Sequence, residues 1–110
     1  MSINISQHDN ILVISPVGRL DSGTSPELEK TVIQKLEEGN HRIVFDFSML
    51  DYISSAGLRV ILLAGKKLRP LGGKMALAGM KPMVHDVFEM SGFLALFAVA
   101  PTVDEARSKI

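Results

Sequence analysis

Cysteine is missing from this 110-residue chain, which excludes disulfides, a thiolate nucleophile and thiolate metal sites. Surplus charge is missing too: 12 lysines and arginines face 12 aspartates and glutamates, for a formal net charge of +0. Electrostatic capture of nucleic acid needs a basic surface that this balance does not supply. No apolar run comes near the roughly 18 residues of a membrane span. The longest, Phe93 to Ala100, is short and strand-like. The opening residues Met1-Ser2-Ile3-Asn4-Ile5-Ser6 have neither the basic n-region nor the apolar h-region of a signal peptide. Together these absences predict a soluble cytoplasmic protein that engages neither a membrane nor, directly, nucleic acid.

The side-chain constellations of common enzymes are equally thin. A nucleophile elbow needs glycine two residues before its serine, but Tyr52 and Ile53 stand two before Ser54 and Ser55. His8, His41 and His85 fall in a turn, before a strand and on a helix, without metal-ligand spacing. Gly18 and Gly72-Gly73 match neither the P-loop nor the dinucleotide fingerprint. Asp46 lies in a strand, as a phosphoacceptor aspartate would, yet no acidic pair follows an earlier strand to hold the metal such chemistry requires. The expectation is therefore no enzyme: no catalytic residue, no metal and no cofactor.

What the chain does carry is a regular alternation of strand-like and helix-like segments. Its 46% hydrophobic content suits one core in one domain over residues 1–110. Ile3 and Ile5 alternate with polar residues, Gln7 to Asn10 reads as a turn, and Ile11 to Ser15 reads as a more buried strand, so the chain opens with a hairpin. Pro16 and Gly18 end that strand. Thr24 and Ser25 compete as N-cap of the first helix: Pro26 in the first turn favours Ser25, whereas Glu27 favours a capping box from Thr24. Leu28, Val32 and Leu36, with Ile33 beside them, form its buried stripe, and Gly39-Asn40 stops it. The strand Ile43 to Phe47 comes next, then a loop with two serines, then a helix on which Leu58, Ile61, Leu62, Gly65 and Leu68 share a face. Lys74 to Ala78 is another strand, and Pro82 opens a third helix with Val84, Val87 and Phe88 inward. Leu94 to Val99 reads as an apolar strand, and Thr102 with Glu105 caps a short last helix. Met75, Met80, Met83 and Met90 read as core filler. The order β-β-α-β-α-β-α-β-α predicts an α/β fold, a mixed and mostly parallel sheet of about five strands with about four helices.

The segment Asp51-Tyr52-Ile53-Ser54-Ser55-Ala56-Gly57-Leu58-Arg59 is the one with chemical content beyond packing. It sets two hydroxyls where a strand hands over to a helix, next to amides that lack intrahelical partners and to the positive end of the helix dipole. Either serine can serve there as an N-cap, and a phosphate attached at that point would be electrostatically well placed. Asp21, Asp46 and Asp51 read as solvated loop or strand-edge carboxylates.

The chain resembles the STAS domain family, most closely its free-standing bacterial anti-sigma factor antagonists. The resemblance rests on Gly18-Arg19-Leu20-Asp21, on Ser54-Ser55-Ala56-Gly57-Leu58, on Leu71 to Leu77 and on Val87 to Phe93, which occur in the family's order over nearly the whole chain. It implies a STAS-type fold and a phosphorylation switch. The unphosphorylated form would bind a partner anti-sigma factor that is itself a serine kinase and so release sigma, whereas the phosphorylated form would not bind. A phosphoserine phosphatase would complete the cycle. Transferred by position, the phosphoacceptor is Ser55, with Ser54 as the alternative because it replaces the family's usual aspartate. Asp21, Ser54, Ser55, Ala56, Gly57, Leu58 and Arg59 become the partner-facing residues. A second reading is a STAS scaffold subunit of a signalling assembly or lipid-transport complex, in which Ser55 only caps its helix.

Overall fold

In the computed structural model, which describes residues 2–110, strands β1 (Ser2–His8) and β2 (Ile11–Leu20) pair antiparallel across a tight turn at Asp9, whose φ is 57°. Helix α1 (Ser25–Glu37) then crosses to β3 (Arg42–Asp46), which is parallel to β2. After a turn at Phe47 to Met49 the chain forms β4 (Leu50–Ile53) and enters α2 (Ser55–Leu68). A short 3₁₀ segment precedes β5 (Lys74–Ala78), which is followed by α3 (Pro82–Met90), β6 (Ala98–Ala100) and α4 (Val103–Lys109). The sheet order is β1-β2-β3-β5-β6, with β4 paired to β2 off this path. Every pairing except β1–β2 is parallel.

Both sheet faces are covered, so the central strands are apolar on both sides rather than alternating with polar residues. Leu12, Ile14, Ile43, Phe45 and Leu77 turn to the larger core, which they share with Leu28, Val32, Ile61, Ala64, Val84 and Phe88 of α1, α2 and α3. Ile11, Val13, Val44, Ala76, Ala78 and Ala100 turn to the other face, where Ala106 of α4 meets them. Four of those seven side chains are alanine, which lets the short α4 lie close to the sheet.

Among the described residues the sheet has six strands where the sequence predicts about five, and the extra one matters most for the site. β2 does not stop at Pro16 and Gly18 but runs on to Leu20. Its lower part pairs with β3 through Leu12 to Ile14, and its upper part pairs with β4 through Gly18 to Leu20. Pro16 lies between these pairings, where a missing N–H breaks no bond to β3 or β4. Gly18, with φ of 95°, takes up the register shift that re-aims the strand. Leu50 to Ile53 therefore forms a strand and not the start of a loop; with four residues its pattern is too brief to signal itself.

Two further expectations change. Leu94 to Val99 is not one strand: Leu94–Leu96 is a 3₁₀ turn, and the strand starts only at Ala98. Leu96 stays exposed while Phe97 turns inward and meets Phe88 edge-on at 6.2 Å, so neighbouring apolar residues serve different contacts. Met83 and Met90 are exposed and do not fill the core, whereas Met75 and Met80 pack against it.

Candidate functional site

The site forms where β2 and β4 end side by side. Leu20 pairs with Ile53, and the amide of Ser54 donates to the Leu20 carbonyl at 2.9 Å. This bond brings the Asp21 loop and the two serines, more than thirty residues apart in sequence, to one end of the sheet.

The serines have separate surroundings. Ser54 is the N-cap of α2, half-buried, with extended backbone (φ −97°, ψ 177°), and its hydroxyl accepts from the Gly57 amide at 3.4 Å. Ser55 is the first helical residue and is exposed, and its hydroxyl has no hydrogen-bond partner among the described residues. The capping role that sequence leaves open between them thus belongs to Ser54.

Gly57 explains why glycine must stand two residues beyond Ser55. A Cβ on it would lie 2.8 Å from Ile53 Cγ1, 2.8 Å from Leu20 Cγ and 3.0 Å from Leu20 Cδ2. Leu20 and Ile53 are buried, so the first turn of α2 sits directly on the paired ends of β2 and β4. Leu58 is buried beside it, and Ala56 and Arg59 face a shallow cleft of about 310 Å³ shared with Ser22, Ser25 and Glu29.

Asp21 is more than a solvated carboxylate. Its Oδ1 accepts from the amides of Gly23 at 3.0 Å and Thr24 at 3.2 Å, closing the turn that leads into α1. The Gly23 amide foremost, with Thr24 and Arg19 assisting, holds the Asp21 carboxyl below the usual carboxylate range. Of the two competing caps, Thr24 and not Ser25 is the N-cap of α1, but without the capping box: the Thr24 hydroxyl accepts from the Asp21 amide at 2.9 Å and donates to the Arg19 carbonyl at 2.8 Å. Asp21 Oδ2 stays free enough to lie 3.8 Å from Arg19 Nε.

The charges of Asp21 and Asp51 are offset by neighbouring cations. Arg19 sits 4.2 Å above the Tyr52 ring as well as beside Asp21, and Asp51 pairs with Lys81 at 2.6 Å. Asp46, half-buried at the end of β3, accepts from the Ser48 amide at 3.0 Å and the Ser15 hydroxyl at 3.3 Å. Arg19, Tyr52 and Lys81 escape sequence reading as site residues; only the pairing of β2 with β4 and the packing of α3 on β4 bring them in. Among the described residues no group of three His, Asp or Glu could hold a metal ion, and no helix is long and apolar enough to cross a membrane.

Comparison with known proteins agrees with this architecture. The STAS domain family model matches residues 2–106. BtrV of Bordetella bronchiseptica, whose name assigns it provisionally to the anti-sigma factor antagonists, is 41% identical over 98% of this chain and 93% of its own. A crystal structure of a Thermotoga maritima protein with the same provisional assignment superposes with a TM-score of 0.93 at 22% identity, covering 98% of this chain and 93% of that one. The Bacillus anti-sigma factor antagonist SpoIIAA has been solved in two states. Its unphosphorylated form matches with a TM-score of 0.85 at 22% identity over 98% of this chain and 95% of that one. Its phosphorylated form matches with a TM-score of 0.77 at 21% identity over 98% of both chains.

Proposed function

This chain belongs to the STAS domain family, and from that membership we propose that it is an anti-sigma factor antagonist switched by phosphorylation of Ser55. The observation that carries the reading is the division between adjacent serines. Ser54 spends its hydroxyl on the helix cap, while Ser55 offers an exposed, unbonded hydroxyl at the same sheet end. A kinase can take Ser55 without uncapping α2. The kinship to BtrV supports the role, and the phosphorylated state of SpoIIAA supports the kind of switch.

A phosphate adds about −1.5 to −2 charges at neutral pH. At the first position of α2 it meets free amides and the positive end of the dipole, so the domain itself tolerates it. A partner surface built to cover a neutral hydroxyl instead meets a hydrated dianion, and desolvation together with repulsion drives release. The partner-facing surface comprises Asp21, Ser54, Ser55, Ala56, Gly57, Leu58 and Arg59, with buried Gly57 and Leu58 shaping it from beneath. In this reading the whole of 1–110 acts as one STAS module in the cytoplasm. It is the substrate of an anti-sigma factor serine kinase and of a phosphoserine phosphatase, and is not itself a catalyst.

The test is incubation with the cognate kinase and ATP, phosphosite mapping, and affinity measurement before and after modification. The phosphate is expected on Ser55, with partner affinity falling at least about tenfold, roughly 1.4 kcal/mol. Ser55→Ala should bind constitutively and Ser55→Asp poorly. Phosphate on Ser54 would overturn the assignment of the site. Unchanged affinity would overturn the switch and favour a fixed scaffold.

A further inference from the structure

Arg59 stands four residues after Ser55 on α2, exposed like it and on the same side of the helix. Among the described residues it forms no ion pair. Its position is unfavourable for a cation, because it lies near the positive end of α2 and the first turn holds no acidic residue to offset it. Helical Cα–Cβ bonds tilt toward the N-terminus, so a long side chain at position 59 can reach the turn that carries Ser55; Arg59 lines the cleft beside Ala56 of that same turn.

Resting on the reading of Ser55 as phosphoacceptor, we propose that Arg59 is the intramolecular receptor of that phosphate and a positioning residue for the phosphorylated state. The guanidinium fork suits two phosphate oxygens at once, with charge-assisted hydrogen bonds a lysine would not reproduce. The neighbouring charges leave this role open. Asp21 is committed to Gly23, Thr24 and Arg19, and Asp51 to Lys81. Glu29 of α1 lines the same cleft as Arg59 and is the one carboxylate there that competes for it. Seating the phosphate on its own helix lowers the energy of the modified form. It also withdraws Arg59 from the partner surface at the moment a dianion appears on it.

The experiment uses the full chain with phosphoserine installed at position 55 during translation, so that it does not depend on any kinase. Phosphorus NMR titration at low salt compares this protein with its Arg59→Ala and Arg59→Lys variants. The contact favours the dianion, so the second phosphate pKa should be about half a unit lower with Arg59 than with alanine, as expected for an exposed pair. Lysine should recover part of that shift. Salt near 1 M, where the Debye length is about 3 Å, should shrink the difference. Equal midpoints with arginine and alanine, or a difference insensitive to salt, would overturn the proposal. Failure of a kinase to modify Ser55 would count against the switch while leaving this contact measurable.

Discussion

Gly57→Ala adds a single methyl group at the tightest contact of the site. The new Cβ would stand 2.8 Å from both Ile53 Cγ1 and Leu20 Cγ. Those neighbours are interior atoms of buried side chains, not free ends, so relief requires moving α2 or the ends of β2 and β4. Overpacking of this kind costs about 1–3 kcal/mol. Alanine recovers up to about 1 kcal/mol of helix propensity over glycine, less in a first turn that packs on a sheet. The expected net loss is about 1–2 kcal/mol, which lowers Tm by about 4–8 °C in a domain of this size. Urea and thermal unfolding measure it directly, and an unchanged m-value would show that the folded state alone has been strained. Because the same turn carries Ser55, the shift should, on the function proposed above, also weaken binding to an anti-sigma factor partner. A variant within about 0.5 kcal/mol of the parent, or more stable than it, would refute the close seating of α2 on Leu20 and Ile53, since propensity would then be the whole effect.

Ser54→Ala should cost about 0.5–1 kcal/mol, at the low end for a lost cap because the bond to the Gly57 amide is long at 3.4 Å; Ser55→Ala should leave the Tm unchanged, and a reversed order in calorimetry would exchange the roles of the two serines. Phosphorylation itself should keep cooperative unfolding, with the Tm within a few degrees of the unmodified protein, and loss of the transition would mean that the switch works by melting the domain. Asp21 has its folded pKa below the unfolded value near 3.8. Its stabilising contribution is therefore complete above about that pH and is lost as the pH falls through the lower folded value. Asp21→Asn keeps an acceptor for Gly23 and Thr24 but removes the titration, so its acid unfolding profile should be flatter below pH 4 than that of the parent; superimposable profiles would refute the linkage.

Much of this protein is set by local sequence. The 3.6-residue spacing of Leu28, Val32 and Leu36, and of Leu58, Ile61 and Leu68, identifies α1 and α2 and their buried faces, because helix periodicity is a property of consecutive residues. Thr102 caps α4 through the Glu105 amide as its spacing predicts, since both partners lie within one turn. The serine pair at the strand-to-helix junction is legible for the same reason. Tertiary structure alone decides what depends on residues far apart in the chain. β4 exists because β2, re-aimed at Gly18, offers Leu50 to Ile53 an unpaired edge; four residues have too little pattern to declare themselves. The Leu94 to Val99 run divides between a turn and a strand because Phe97 finds Phe88 while Ala98 to Ala100 find β5. The choice between Ser54 and Ser55 as cap turns on the Leu20 carbonyl, which holds the Ser54 amide and so sets where α2 begins. Periodicity and capping act over a turn or two and can be read along the chain. Strand pairing, close approach and charge pairing act across space, and their partners are known only once the sheet has brought them together.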